Sequence, residues 1–123
     1  MTTATLFERL GGEEAIVAAV DLFYDKIRLD PRIARFFEGM DMDNLTTKQV
    51  SLMAWAFGAP TEYRGKSLRE AHAKLLERGL NDSHFDAVAE HLQSTLIELG
   101  IEPSLVAEAL AIVATTRTDV LGR

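Results

Sequence analysis

The chain has 123 residues, and its 13 Lys and Arg stand against 19 Asp and Glu, which gives a formal net charge of −6 with neutral histidines. This length predicts one domain with one hydrophobic core over residues 1–123, and the acidic balance disfavours nucleic acid or an anionic membrane as a partner, because both are bound through basic patches. The chain has no Cys, which excludes disulfides, iron–sulfur clusters, thiolate metal sites and cysteine nucleophiles.

The amino-terminal residues lack both the basic start and the apolar run of a secretory signal. Apolar runs along the chain are a few residues long, far short of the roughly 20 that span a bilayer. We therefore expect a cytoplasmic protein with no membrane partner.

Helical periodicity begins with Thr5–Glu8, whose sequence matches a capping box and predicts a short helix ended by Gly11-Gly12. A long helix is predicted over about 13–29, because its apolar residues recur at steps of four, three and four. That stripe consists of Ile16, Val20, Phe23 and Ile27. Asp30-Pro31 then reads as a cap followed by a first-turn proline, which predicts one short turn through Phe37.

The middle of the chain contains two more predicted helices separated by a loop over 58–66. Asp43-Asn44 can cap the first of them, which we expect to run over about 45–57. Ser67 opens a second capping box, and the helix of about ten residues that follows is expected to end at Gly79.

The last third predicts two further helices. Leu80 and Phe85 flank Asn81 at the spacing of a hydrophobic staple, which predicts a helix ending near Leu99. Pro103 starts the last predicted helix. Since no window alternates with a period of two residues, we predict an all-α fold of about six or seven helices, two or three of them very short.

His72 lies on the apolar face of the helix that follows Ser67, with leucines at 68, 75 and 76 on the same face. It is either a core imidazole bonded to a backbone carbonyl or a metal ligand. No other His, Asp or Glu shares that face at metal spacing, so a zinc site, which needs three or four protein ligands, is disfavoured. A haem needs only one, because the porphyrin supplies four nitrogens.

Two more polar residues interrupt apolar stripes, where an unpartnered polar group costs roughly 1–3 kcal/mol. Gln49 lies between Leu45 and Leu52, where its amide can bond the backbone or donate to a ligand. Tyr24 borders the core of the long helix and is expected to pack its ring inward. With His72, these two residues predict a cavity that has one imidazole on one side and two hydrogen-bond donors on the other.

The order and spacing of several segments match a known family from about residue 5 to residue 121. These segments are LFERLGG at 6–12, DLFY at 21–24, DPRIARFF at 30–37, KQ at 48–49, AFG at 56–58, YRG at 63–65, REAH at 69–72 and HFDAV at 84–88. On them the chain resembles the truncated haemoglobins of group one. The resemblance implies a truncated globin-like fold, an all-α two-over-two helical sandwich around haem.

The resemblance also implies roles for individual residues. His72 falls on the proximal haem ligand, and Tyr24 and Gln49 fall on the residues that hydrogen-bond iron-bound oxygen. Phe37 falls on a phenylalanine that packs against the porphyrin, and Leu45 stands where ordinary globins place a distal His. The resemblance implies a haem-lining role for five further residues, which are Leu52, Met53, Tyr63, Leu68 and Phe85.

The implied cofactor is haem b, and the implied ligands are O₂, NO and CO. Some relatives attach haem covalently through a His near the carboxyl terminus; this sequence has no His beyond His91, so we expect non-covalent binding. The implied activities are nitric oxide dioxygenation, which would need a separate reductase, or oxygen storage, transport or sensing. We expect a monomer.

Lys48 admits two interpretations, because relatives place at this position either a sixth iron ligand or a lysine paired with a haem propionate. Ligation needs the neutral amine, and deprotonation from a pKa near 10.4 costs about 4.6 kcal/mol at pH 7. Propionate pairing is therefore favoured, and a six-coordinate redox or signalling haem protein is the alternative. His84 and His91 are interpreted as surface or rim residues. A helical interaction module without haem is the remaining hypothesis.

Overall fold

The structure, a computed structural model, describes residues 4–60 and 67–123, and the regular secondary structure of these residues is entirely helical. The all-α prediction is therefore confirmed. None of the described helices is both long enough and apolar enough to cross a membrane. In chain order the helices are α1 (Leu6–Leu10), α2 (Glu13–Arg28), a short 3-10 helix (Ala34–Phe37), α3 (Met42–Ala56), α4 (Leu68–Glu77), α5 (Asp82–Glu98), α6 (Pro103–Ala114) and α7 (Arg117–Val120).

Three predicted helix starts are confirmed by their caps. The Thr5 hydroxyl accepts a hydrogen bond from the backbone N–H of Glu8 at 3.2 Å, and the Ser67 hydroxyl accepts one from Glu70 at the same distance. The Asn81 side chain accepts a bond from the N–H of Ser83 at 2.9 Å. Each cap satisfies a donor that the first turn of a helix leaves without an intrahelical partner.

The predicted start of α3 is wrong by three residues. The cap is Asp41, whose carboxylate accepts a bond from the N–H of Asn44 at 3.2 Å. Asp43 lies inside the first turn instead, where its charge meets the positive end of the helix dipole. Two aspartates two residues apart can both serve as caps, and the structure uses the earlier one.

The core forms around α2, whose predicted stripe of Ile16, Val20, Phe23 and Ile27 is buried throughout. This helix packs against α3 on one side and α5 on another, and α6 closes the core by packing against α5 and α1. The backbone N–H of Phe7 donates to the carbonyl of Phe57 at 2.8 Å and so joins α1 to the end of α3. The core thereby fixes the positions of α2 and α3, which carry the polar residues singled out above.

Helix α4 is built differently, because none of its ten residues is buried. Leu68, His72, Leu75 and Leu76 form a half-buried apolar face, and of these Leu75 packs against the main core. The helix also packs against α7. The element that carries His72 is therefore the least deeply embedded of the long helices.

Candidate functional site

His72 lies in the middle of α4 with a defined ring orientation. Its Nδ1 is 2.7 Å from the backbone carbonyl oxygen of Leu68. Since a carbonyl only accepts, Nδ1 carries a proton, and in the neutral ring the lone pair therefore lies on Nε2. A hydrogen bond from the other ring nitrogen is the usual arrangement of a metal-ligating histidine, because it fixes the tautomer and raises the basicity of the ligating nitrogen.

The donors around His72 do not form a metal cage. Within residues 4–60 and 67–123, no group of three or more His, Cys, Asp or Glu could hold a metal ion. An imidazole without such companions fits a metal that brings its own remaining ligands, which is the situation of haem iron. The half-buried leucines of α4 beside it supply the apolar wall that a porphyrin face needs.

Tyr24 and Gln49 are brought together across α2 and α3. The Tyr24 hydroxyl donates to Oε1 of Gln49 at 3.4 Å, which is long for an O–H···O bond. The Tyr24 side chain is 6% exposed, and burial raises the pKa of its phenol above the ordinary value. The phenol therefore stays protonated, and the long contact leaves both side chains able to bond a third partner.

Phe37 joins this pair through its ring. The ring lies edge-on to that of Tyr24 with centroids 6.0 Å apart, and Phe23 lies on the tyrosine ring at 5.3 Å. The 3-10 helix that carries Phe37 is anchored by the neighbouring Phe36, which is 2% exposed. The aromatic contacts thus hold the phenol of Tyr24 at the boundary between core and site.

The other predicted lining residues are distributed over three helices. On α3, Leu45 and Leu52 are half-buried and Met53 is buried; on α4, Leu68 is half-buried. Phe85 on α5 is buried and lies beneath the guanidinium of Arg117, 4.4 Å from its ring centroid. Tyr63 lies outside the described residues.

Lys48 extends from α3 next to Gln49, and its side chain is exposed. None of the described residues holds its ammonium in an ion pair or hydrogen bond. The geometry is compatible with both a propionate partner and a swing of the amine towards the site.

The other two histidines are engaged elsewhere. His84 Nδ1 accepts a bond from the backbone N–H of Asn81 at 3.0 Å, which completes the cap of α5. His91 Nε2 lies 2.6 Å from Oδ2 of Asp30; His91 is half-buried, and Asp30 is buried. His84 uses Nδ1 in that cap and His91 faces a carboxylate, whereas His72 lies among the half-buried leucines of α4 with its Nδ1 bonded within its own helix.

Sequence reasoning missed the network around Asp30. The Arg32 guanidinium donates to both carboxylate oxygens, at 3.1 Å and 2.8 Å, and His91 bonds one of them. The bonds from Arg32, followed by that from His91, hold the pKa of the Asp30 carboxyl well below its usual range. The Asp-x-Arg spacing was a visible signal, but the histidine stands 61 residues away.

Comparisons with known proteins match nearly the whole chain. A family model described as bacterial-like globin matches residues 5–121. The group 1 truncated hemoglobin LI410 of Chlamydomonas moewusii is 47% identical over 117 residues, which cover 95% of this chain and 68% of that protein. The group 1 truncated hemoglobin of Tetrahymena pyriformis is 42% identical over 119 residues, which cover 97% of this chain and 96% of that protein.

Two solved structures share the fold. The 2/2 hemoglobin from Synechococcus sp. PCC 7002, in the cyanomet state and with covalently attached heme, is 44% identical with a TM-score of 0.95, and the match covers 98% of this chain and 100% of that one. The Fe(III) form of the truncated hemoglobin from Tetrahymena pyriformis is 42% identical with a TM-score of 0.90 and the same coverage. The predicted two-over-two helical arrangement is thus confirmed.

Proposed function

The chain belongs to the bacterial-like globin family, and from that premise we propose that His72 holds its haem and that Tyr24 and Gln49 bond a diatomic ligand on the opposite side. Proteins of this family use haem to bind small diatomic ligands. The observation that carries the assignment is the 2.7 Å bond between His72 Nδ1 and the Leu68 carbonyl. It directs the unprotonated Nε2 away from its own helix.

When bound, haem supplies an iron that takes up O₂, NO or CO. The chain's own residues then do two things. On one side, the Leu68 carbonyl keeps His72 in one tautomer and one ring orientation. On the other, the neutral phenol of Tyr24 and the amide of Gln49 donate to a ligand that carries partial negative charge, each stabilising it by roughly 1–1.5 kcal/mol.

Haem reconstitution tests the assignment of His72. We expect wild type to take up one haem per chain and His72→Ala to lose this capacity, since the described residues offer no second imidazole in its place. His84→Ala is the matched control, because it removes a histidine that caps α5 and should leave haem uptake intact. Stoichiometric haem in His72→Ala, or none in wild type, would instead support a helical interaction module.

The activity that we propose for this site is nitric oxide dioxygenation, with electrons supplied by a separate reductase. The pair of donors supports it, because a ligand held by Tyr24 and Gln49 is released slowly and remains polarised. Mixing NO with the oxygenated protein should yield stoichiometric nitrate within the mixing time. Slow or absent nitrate formation would leave oxygen storage, transport or sensing.

We propose further that the protein works in the cytoplasm as a monomer, as one domain over residues 1–123, with non-covalent haem b and with no nucleic acid or membrane as partner.

A second candidate, a six-coordinate redox or signalling protein, rests on Lys48. Its exposed amine stands one residue from Gln49 on the helix that lines the site. Ligation would require this amine to lose its proton and to displace the two donors, whereas pairing with a propionate requires neither. Absorption spectra of wild type and Lys48→Ala decide between the two. A low-spin wild type that becomes high-spin in the variant supports ligation, and unchanged high-spin spectra support propionate pairing.

A further inference from the structure

The half-buried apolar face of α4 is the one that we propose to contact haem, so the place of this helix against the rest of the polypeptide depends on its other contacts. None of its residues is buried, and Leu75 is its apolar contact with the main core. A helix normally owes its position to an apolar stripe packed against other elements. The contacts at the two ends of α4 are instead made mainly by arginine side chains.

At the amino end, Arg69 binds the carboxyl-terminal segment 117–123. One guanidinium nitrogen, Nη2, donates to the carbonyl oxygen of Arg123 at 2.8 Å and to Oδ1 of Asp119 at 3.2 Å. The backbone of this segment also approaches α4 closely. Gly122 has a φ of +69°, and a Cβ added there would lie 2.7 Å from Cδ1 of Leu76.

At the carboxyl end, Arg78 and Arg35 bond each other's backbones. Arg78 Nη2 donates to the carbonyl of Arg35 at 2.6 Å, and Arg35 Nη1 donates to the carbonyl of Arg78 at 2.9 Å. Both guanidinium groups lie over the ring of buried Phe36, at 4.1 Å for Arg35 and 5.7 Å for Arg78. This reciprocal pair joins the end of α4 to the 3-10 helix that carries Phe37.

The segments that receive these bonds are themselves attached to the core. Arg117 donates to Asp82 at 2.9 Å and to Asp86 at 2.5 Å, so α7 is fastened to the start of α5. The 3-10 helix is fixed by Phe36, which is 2% exposed. Arg69 and Arg78 therefore connect α4 to two anchored supports, one on each side of His72 along the helix.

We propose that Arg69 and Arg78 are positioning residues that set the place of α4, and with it the direction of His72 Nε2, relative to the rest of the site. This proposal rests on the assignment of His72 as the haem-holding residue. Neither arginine touches the site directly, so each acts through the helix. Arg78 has the larger share, because its bond to Arg35 is returned by a second bond and both guanidinium groups lie over the buried ring of Phe36, whereas Arg69 binds an exposed carboxylate and the last residue of the carboxyl-terminal segment.

The test replaces each arginine by methionine, which keeps a long, unbranched side chain and a high helix propensity but has no hydrogen-bond donor. Arg9→Met is the matched control, because it breaks the exposed bidentate pair with Glu108 between α1 and α6, away from α4. We expect haem loss to an excess of acceptor apoglobin to be about tenfold faster in Arg78→Met and about threefold faster in Arg69→Met. Arg78→Lys, which retains one charged donor, should recover part of the loss.

A change in position, and not merely in stability, has a spectroscopic signature. The iron–histidine stretching band of the ferrous protein should shift or broaden in Arg69→Met and Arg78→Met and stay as in wild type in Arg9→Met. Amide hydrogen exchange should quicken in α4 and not in α6. If both variants match Arg9→Met in all three measurements while wild type binds haem through His72, the inference is wrong although the proposed function stands. If wild type takes up no haem, the proposed function fails. In that case, amide hydrogen exchange in α4 that is the same in wild type, Arg69→Met and Arg78→Met would show that the arginines do not hold α4 either.

Discussion

Helices α2 and α4 carry the residues assigned to opposite sides of the site, and they are held in place by different forces. In α2, six of sixteen residues are buried, and Tyr24 is carried on a helix that the core already fixes. In α4 no residue is buried by the polypeptide. Its apolar face is the one that we propose to contact haem, and Leu75 and the arginines at its ends contact the rest of the chain. The side that we propose to bond the ligand is therefore part of the core, whereas the side that we propose to hold haem is attached to it. Such weakly embedded elements are where proteins place parts that must adapt to a bound group.

The largest expected effect comes from truncating one apolar residue on each helix. Phe23→Ala in α2 should lower the free energy of unfolding by about 3–5 kcal/mol, because it leaves a cavity at a position that is 4% exposed. Leu75→Ala in α4 should cost about 1 kcal/mol in the haem-free protein, since this leucine is not fully buried. Urea unfolding of both variants provides the measurement. Equal costs would show that α4 is as much a part of the core as α2.

The network at the end of α2 gives the next effect. Asp30→Asn should cost about 2 kcal/mol at pH 7, because Arg32 and His91 bond a largely buried carboxylate. Glu98→Gln, which breaks an exposed pair with Lys26 at the same end of α2, should cost less than about 1 kcal/mol.

The pH dependence of the stability difference between wild type and Asp30→Asn follows from the direction in which the pKa of Asp30 is shifted. The native pKa of Asp30 is lowered, so its contribution is fully present above the unfolded pKa of about 3.9 and is lost as the pH falls towards the native value. The gap between wild type and Asp30→Asn should narrow below about pH 4, as the Asp30 carboxylate takes up a proton. A gap that persists undiminished under strongly acidic conditions would contradict the assignment.

A smaller effect, on the O₂ dissociation rate, is expected from variants of Tyr24 and Gln49. These variants test the comparison at the site itself. Tyr24→Phe and Gln49→Leu should each raise the O₂ dissociation rate about five- to tenfold, which corresponds to about 1–1.5 kcal/mol. Because the hydroxyl and the amide already contact each other, the double variant should fall short of the product of the two effects. Stopped-flow measurement provides the rates, and the CO dissociation rate is the internal control, because CO carries less negative charge than O₂ and depends less on hydrogen-bond donors.

The two helices also differ in how far the sequence predicts them. The stripe of α2 has the helical period, and each of its predicted members is buried, because burial of that stripe is what forms the helix. For α4 the start at Ser67 and the face of His72 are visible in the sequence, but its arginine contacts join residues 43 and 54 positions apart. Local patterns contain no information on such distances. The predicted cap of α3 at Asp43 instead of Asp41 is wrong for a related reason, since both aspartates have capping chemistry and the local sequence does not decide between them.

The candidate site divides in the same way. The spacing of His72 among leucines shows why it is singled out, and the bond of its ring to Leu68 is an i to i−4 contact that helix geometry alone permits. By contrast, the approach of Tyr24 to Gln49 depends on how α2 crosses α3, and the sequence suggests it only through family resemblance. Phe85 beneath Arg117 has no sequence signal, because its partner belongs to another short helix.

The smallest expected effect concerns the cap of α4 and separates local from global stability. Ser67→Ala removes the bond to the N–H of Glu70 and should cost about 0.5–1 kcal/mol locally. Since α4 is weakly embedded, that loss should appear as about two- to fivefold faster amide exchange in α4, with little change in urea unfolding of the core. Thr5→Ala removes the same kind of cap from α1, whose Leu6 and Leu10 are buried, so its cost should appear in global unfolding instead. If Ser67→Ala lowered global stability as much as Thr5→Ala does, α4 would unfold together with the core. Helices α2 and α4 would then differ in burial but would unfold as one cooperative unit.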